Sequence, residues 1–388
     1  MKIEPRTLKG FRDFLPKGAR KRSYVLETLK RVFESYGFEP LETPALEYEE
    51  ILSGKYGEEG DKLMYKFTDN GDRKVALRYD QTVPLARVVA QYQNDLPTPF
   101  KRYQIQNVWR AENTQRGRYR EFLQVDADIV GSYSPLSDAE VISVVIKSLE
   151  KLDFKNFKIT VNDRANFAGV EPQAILTIDK LKKIGKDSVL KELEEKGLPV
   201  TLLDEILSKT LNDKLKTIID VLKDQRVVFD PSLARGLDYY TGLIFEVEVD
   251  GYDVGSIAGG GRYDNLIGMF AGRDIPAVGF AFGFDRLIEA METLNLFPTD
   301  LYTTKVLAAF ANSDLQEKAL KIANDLRNKN INSEVYPEDV NLEKQLKYAD
   351  RKQIPFVVIV NENNLVLKNM RERTQEELNF DQILEKLK

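Results

Sequence analysis

Apolar residues recur at helical spacing near the start of the chain. Tyr24, Val25, Leu29, Val32, Phe33 and Tyr36 predict a helix over residues 19–36, and Gly37 supplies its stop. FEPLETPALE follows as short extended pieces flanked by Pro40 and Pro44, which suits an edge or interface strand. From 73 to 131 strand-like runs (KVALRY, YQIQNVWRA, EFLQVDADIVG) alternate with a helix-like stretch, TVPLARVVAQY, predicting antiparallel sheet with helices beside it. Residues 137–152 predict a helix with Ser137 as N-cap and Glu140 closing a capping box, and the strand FKITVND follows. Between about 170 and 226 the pattern is helical and charged before β character returns at RVVFDP.

After Phe297 and Pro298 the pattern changes to strands alternating with helices (314–329, 341–352, 380–387), which predicts a small α/β domain with a largely parallel sheet. Its first helix carries a second capping box, Ser313 with Gln316. The expected organisation is α+β: a core over 1–169 and 227–300, a helical insertion at 170–226, and the α/β domain at 305–388.

The chain has 388 residues, with 42% hydrophobic, 31% charged and a net charge of −5, but no histidine and no cysteine. Disulfides, thiolate nucleophiles and Cys/His zinc sites are excluded, and so is the side chain that usually moves protons near neutral pH. Any metal must be oxygen-ligated, with Mg²⁺ foremost. The N-terminus lacks an apolar core of the signal-peptide kind and no apolar run is long enough for a bilayer, so a cytoplasmic protein without membrane attachment is expected. Bulk charge gives no case for nucleic acid. Locally, however, residues 101–122 hold six basic residues against two acidic ones, a patch fit to face phosphates. Taken alone, the RGRYR run reads as a solvated hairpin around Gly117. The domain at 305–388 balances 14 basic with 14 acidic residues, so charge does not mark it as an RNA binder.

The stretch from 231 to 286 sets Arg235, Arg262 and Arg286 within or beside apolar, β-prone runs with paired tyrosines and glycine-rich turns. A buried cation needs a partner, and an anionic ligand is one such partner. Gly-x-x-x-x-Gly-Lys loops, dinucleotide fingerprints and serine–histidine arrangements are all missing. What remains is a set of arginines, Arg110, Arg118, Arg235 and Arg286, whose planar forks suit phosphate oxygens. The glycine run 259–261 reads by itself as a tight turn or bulge.

These motifs together resemble the histidyl-tRNA synthetase family of class II aminoacyl-tRNA synthetases, along essentially the whole chain. GFRDFLP and ETPALE resemble its opening and motif 1, and VWRAENTQRGRYREFLQVDADIVG resembles motif 2. LARGLDYYTG and AGGGRYDNLIG resemble the two histidine-specific motifs, and GFAFGFDR resembles motif 3. The resemblance implies ATP and Mg²⁺, the metal held mainly through phosphates with no protein ligand assigned, together with L-histidine and tRNA(His) as partners. It also implies a homodimer built through motif 1 around Pro44.

By the same resemblance, Arg110 grips the ATP α-phosphate, Glu112 belongs to the ATP-binding set, Arg118 and Arg286 hold the γ-phosphate end, and Phe122 stacks on adenine. Arg235 sits where the amino-acid carboxylate meets the α-phosphate, making Arg235 and Arg110 the catalytic pair. Asp80, Thr82 and Gln124 match positions for the α-amino group; Asp128, Tyr239, Tyr240 and Tyr263 match those around the side chain. Gln115 and Arg116 are the candidates for reading the tRNA acceptor end. A neutral imidazole offers one N–H and one bare nitrogen, so it asks for an acceptor such as Asp128 and a donor such as a tyrosine hydroxyl. Some branches of the family carry Glu where Asp128 stands. The rival expectation is a noncatalytic relative, the regulatory subunit of ATP phosphoribosyltransferase, which lacks the C-terminal domain.

Overall fold

The computed structural model describes residues 3–234 and 239–387, and Arg235 therefore lies outside the described residues. Contacts divide the chain into two units, Met1–Phe297 and Pro298–Lys388.

In the first unit β1 (Glu39–Pro40), β2 (Leu46–Tyr48), β3 (Lys66–Thr68) and β4 (Lys74–Leu77) precede a long hairpin, β5 (Phe100–Trp109) and β6 (Glu121–Val130). β7 (Phe157–Asp163) and β8 (Val227–Phe229) bracket the helical stretch, and β9 (Leu243–Val249), β10 (Ala258–Arg262) and β11 (Ala277–Gly283) follow. The main sheet has the order β1-β5-β6-β11-β10-β9-β7-β8. Only its outer pairs, β1/β5 and β7/β8, are parallel. β1, with its proline, takes the edge, where a missing N–H breaks no ladder. β2, β4 and β3 form a separate small sheet.

Alternation along the central strands sorts side chains to two faces. Val125, Ala127 and Ile129 of β6, Val278, Phe280 and Phe282 of β11, and Phe245 and Val247 of β9 join one apolar cluster. The helices Pro16–Ser35, Pro135–Lys151, Asp213–Leu222 and Phe284–Thr293 supply its other wall through Leu29, Val145, Leu215 and Leu287. Each such large side chain contributes about 1.5–3 kcal/mol on burial. On the opposite face β6 carries Gln124, Asp126 and Asp128 beside Gly283, Ala281 and Gly279 of β11, and this face becomes the site.

The run of helices from Pro172 to Leu207 builds its own apolar cluster around Ile178, Val189, Leu193 and Leu203. The next helix, Asp213–Leu222, sends Leu215 and Ile218 into the main core instead. Helix boundaries differ locally from the sequence expectation. Ser134, not Ser137, caps Pro135–Lys151, accepting from the Leu136 amide at 3.2 Å. Pro135 at the first helical position holds the residue before it extended, which is the conformation an N-cap needs. Ser313 gives its hydroxyl to Asp339 at 2.6 Å, and a short 3₁₀ turn precedes the helix Gln316–Asn328, so no capping box forms there.

In the second unit β12 (Val306–Phe310) lies between β13 (Ser333–Val335) and β14 (Phe356–Val360), all parallel, and β15 (Leu365–Asn369) and β16 (Thr374–Leu378) extend the sheet antiparallel. Alternate residues of β12 and β14 enter two apolar clusters: Val306, Ala308 and Phe310 on one face, Leu307 and Ala309 on the other. Helices cover both faces, so these strands read as continuous apolar runs.

Candidate active site

A cavity of about 470 Å³ lies in the first unit, over the polar face of the main sheet. Its floor follows from register. Gln124, Asp126 and Asp128 occupy alternate positions of β6, opposite Gly283, Ala281 and Gly279 of β11. Gly261 and Gly259 of β10 continue those rows, and Gly259 pairs with Glu246 of β9. Small residues in the middle of the floor leave backbone open to a ligand, with polar side chains to either side.

The glycine run is therefore a regular strand paired on both sides, not a turn. Close approach requires glycine at 260 and 261, and at Gly279 of the neighbouring strand. A Cβ on Gly261 would meet the Tyr240 ring at 2.8 Å and the Leu243 carbonyl at 2.4 Å, and one on Gly279 would meet Asp128 Oδ1 at 1.9 Å.

One end of the cavity is cationic. Arg110, at the end of β5, donates from Nε to the Tyr79 carbonyl at 3.1 Å, and its guanidinium lies 5.2 Å from the Phe122 ring centroid. Arg286, in the first turn of Phe284–Thr293, donates to the Ser256 carbonyl at 3.0 Å and packs beside Gly117. Gly117 has φ +71°, turning the hairpin in which Gln115 bridges Arg118. Arg118 reaches the cavity, half exposed, with Glu112 3.5 Å away. These arginines hold fixed positions while keeping donors unspent, which suits polyanion oxygens.

The other end is acidic and aromatic. Asp128 is 3% exposed, and both its oxygens are engaged: Tyr263 donates its hydroxyl to Oδ1, and Arg102 Nη2 lies 2.7 Å from Oδ2. Asp126, 2% exposed, accepts from Gln124 Nε2 at 2.8 Å through Oδ2, while Oδ1 has no hydrogen-bond partner among the described residues. Burial pushes the Asp126 carboxyl up to about 8, Arg102 pulling it down and Asp128 pushing it further up. The Asp128 carboxyl is raised too, chiefly by burial, against the pull of Arg102 and the Tyr263 hydrogen bond. Asp80, between the two ends, accepts from the Tyr56 hydroxyl at 2.8 Å and the Val83 amide at 3.2 Å, and burial raises its carboxyl also, against these hydrogen bonds and the pull of Arg110 and Arg102.

From Phe122 to Asp128 is six residues of extended chain, about 20 Å, so the sheet separates the cationic end from the acidic one. Arg110, Glu112, Arg118, Phe122, Arg286, Asp80, Thr82, Gln124, Asp128, Tyr239, Tyr240 and Tyr263 all line this one cavity. Gln115 and Arg116 do not. Arg116 projects outward, two-thirds exposed, and pairs with Glu289. Arg262, grouped in the sequence with ligand-seeking cations, takes protein partners instead. It donates to Asp138 at 3.0 Å, to the Ser132 carbonyl at 2.8 Å and to Asp264 at 3.1 Å, and it lies outside the cavity.

Sequence reasoning missed Arg102, Asp126 and Tyr56. A signal for the first two was present. Arg102, Gln104 and Gln106 alternate along β5 opposite Asp128, Asp126 and Gln124 of β6, and two facing strands with polar residues at every second position announce a polar buried face.

A family model described as histidyl-tRNA synthetase matches residues 10–199 and 163–287, and one described as an anticodon binding domain matches 305–388. The chain is similar to the histidine–tRNA ligase of Cytophaga hutchinsonii, at 39% identity over 99% of both chains, and to that of Aeropyrum pernix, at 43% identity over 92% of this chain and 90% of the other. It is similar in structure to histidyl-tRNA synthetase from Nostoc sp. PCC 7120, with a TM-score of 0.86 and 31% identity over 100% of this chain and 99% of that one.

Proposed function

The chain belongs to the histidyl-tRNA synthetase family, and its activity is that of a histidine–tRNA ligase, and we propose how the cavity carries that activity out. ATP lies with its phosphates at the cationic end and histidine with its imidazole at the acidic end, so that the histidine carboxylate meets the α-phosphate between them. Segregation of charge along one cavity is the observation that carries this reading: Arg110, Arg118 and Arg286 line one end, Asp126 and Asp128 the other.

The chemistry requires no histidine side chain. The substrate carboxylate is already ionised and attacks the α-phosphorus; a carboxyl–phosphate bond forms and the bond to pyrophosphate breaks, leaving histidyl-adenylate. A hydroxyl of the terminal adenosine of tRNA(His) then attacks the carbonyl, and AMP leaves. Arg110 and Arg235 neutralise charge on the α-phosphate as it develops, and Arg118 and Arg286 orient the departing pyrophosphate. Phe122 stacks on adenine, and Glu112 stands beside Arg118. Asp80, Thr82 and Gln124 hold the α-amino group, and the pocket of Asp128, Tyr239, Tyr240 and Tyr263 receives the imidazole.

Among the described residues no group of three or more carboxylates is placed to cage a metal. Oxygen donors at the cationic end, with the Glu112 carboxylate foremost, still suit a hard dication that keeps waters and phosphate oxygens as its other ligands. Mg²⁺ bound there would supply further neutralisation of phosphate charge.

The enzyme acts as a homodimer through the segment around Pro44. The exposed Leu46, Tyr48 and Phe67 on the small sheet β2-β4-β3 support this interface, since large apolar side chains gathered on one surface favour association. Gln115 and Arg116, on the hairpin outside the cavity, meet the acceptor end of the tRNA. No helix among the described residues is long and apolar enough to cross a membrane, and the reaction belongs in the cytoplasm with the tRNA it serves.

Histidine-dependent exchange of pyrophosphate into ATP tests the reading. Wild-type protein should exchange and Arg235→Ala should lose most of the activity while keeping its fold. Exchange by the variant at near wild-type rate would refute the role of Arg235. The regulatory-subunit alternative predicts no exchange by wild type at all.

A further inference from the structure

Two arginines of the cationic end lie beyond the ladder of the main sheet. Arg118 sits on the hairpin between β5 and β6, and Arg286 in the first turn of the helix Phe284–Thr293 that follows β11. A two-stranded ribbon projecting from a sheet is marginal in water by itself, so its position depends on what else it touches. The segment 8–15, which leads into the helix Pro16–Ser35, touches both the hairpin and the helix Phe284–Thr293.

On the hairpin side, the Gly10 carbonyl accepts from the Arg120 amide at 2.9 Å, and the Arg12 guanidinium carbon lies 3.2 Å from the Tyr119 ring centroid, a cation over an aromatic face. Gly10 has φ +89°, and a Cβ there would come within 2.7 Å of the Arg120 side chain, so glycine lets the two segments lie this close. On the helix side, Arg12 Nη2 lies 2.7 Å from Asp285 Oδ2, and Arg22 Nη1 lies 2.6 Å from Asp285 Oδ1, with the carboxylate 9% exposed. One guanidinium therefore spans the hairpin and the helix. Its anchor is firm, because Arg22 belongs to the helix that sends Val25 and Leu29 into the main core. Tyr119 and Asp285 both line the cavity, and each is next in sequence to one of the phosphate arginines, Arg118 and Arg286. Arg12 itself lies outside the cavity lining.

We propose that Arg12 is a positioning residue for the triphosphate: by stacking on Tyr119 and pairing with Asp285 it sets the separation of Arg118 from Arg286, and with it their grip on the β- and γ-phosphates. The assignment rests on the ligase reading given above in taking ATP as the occupant of the cationic end. Donors aimed at a polyanion act together only at a fixed spacing, and a misplacement of about 1 Å costs on the order of 10²-fold. Removing Arg12 leaves Asp285 its ion pair with Arg22, so the substitution frees the hairpin without stranding a buried carboxylate.

Arg12→Met tests it, by calorimetric titration of the whole chain with ATP and, separately, with AMP, which lacks the two phosphates concerned. Affinity for ATP should fall about tenfold or more while affinity for AMP stays within about twofold of wild type. In histidine-dependent pyrophosphate exchange the KM values for ATP and pyrophosphate should rise together, and the KM for histidine should not move. Gly10→Ala, which forces the segment away from the hairpin without removing a charge, should give the same contrast between ATP and AMP. An unchanged ATP affinity in Arg12→Met would overturn the assignment. Equal losses for ATP and AMP would overturn it as well, since a merely structural role or an unfolded variant weakens both. Wild type that shows no histidine-dependent exchange, with the contrast between ATP and AMP intact in the variant, would defeat the ligase reading and uphold the role of Arg12.

Discussion

Arg102 Nη2 lies 2.7 Å from Asp128 Oδ2, directly across the β5/β6 pair, with neither side chain more than 5% exposed. A guanidinium fully enclosed by protein is tolerated only with a partner, and here the partner is also part of the floor of a binding cavity. Removing the cation strands the anion. Arg102→Met should destabilise the protein by about 3–5 kcal/mol, the usual cost of leaving a buried charge unpaired, measured by urea denaturation. The double variant Arg102→Met/Asp128→Leu should recover much of that stability while failing to bind histidine, which separates the structural part of the pair from its part in the site.

Gly279 shows how little room that carboxylate has. A methyl group there would sit 1.9 Å from Asp128 Oδ1 in a strand paired on both sides, so the backbone cannot yield readily. Gly279→Ala should cost about 1–3 kcal/mol of stability, typical of overpacking, and should raise the histidine KM more than the ATP KM. Equal effects on both constants would mean that the strand as a whole had shifted.

Asp126 predicts an inverted pH dependence. Its folded carboxyl titrates at about 8 against an ordinary value of 3.8, so between these values the folded state holds a proton that the unfolded chain has released. Stability from this group is therefore lost as pH rises through that window. Arg102 moderates the effect and the neighbouring Asp128 and Asp80 charges strengthen it. The melting temperature of Asp126→Asn should exceed that of wild type increasingly from about pH 5 to pH 8, and the two curves should meet near pH 4. Parallel curves would place the titration elsewhere.

At the cationic end, Arg286→Ala should lower kcat for adenylate formation by about 10²–10³-fold, the range for removing one preorganised donor. The histidine dissociation constant should stay near wild type, since Arg286 lies at the far end of β11 from the Asp128 row. Calorimetric titration with histidine alone checks this separation.

The small sheet offers a test of assembly. Tyr48→Glu, on a residue 53% exposed in β2, should shift the mass measured by light scattering from dimer to monomer without unfolding the first unit. A dimer that survives the substitution would move the interface to another surface.

Several features were fixed by the order of residues alone. Period-two alternation in EFLQVDADIV set which side chains of β6 face the core and which face the cavity, because extended backbone points successive residues to opposite sides whatever the fold around it. The strand–helix alternation after Pro298 gave the parallel part of the second sheet on similar grounds. The arginines pointed to phosphate-like anions, since fork geometry and fixed charge are properties of the side chain itself, whereas the tyrosine roles followed only from the resemblance of their motifs to the family. Tertiary structure decided the pairings. Arg262 and Arg286 sit in comparable sequence, yet one meets Asp138 and stays structural while the other faces the cavity, because Asp138 arrives on a helix 124 residues away in the chain. The contrast between Asp126 and Asp128 has the same origin. Both are aspartates on one strand face, and the approach of Arg102 and Tyr263, over the gap that Gly279 leaves, engages both oxygens of Asp128, while Asp126 Oδ1 has no hydrogen-bond partner among the described residues.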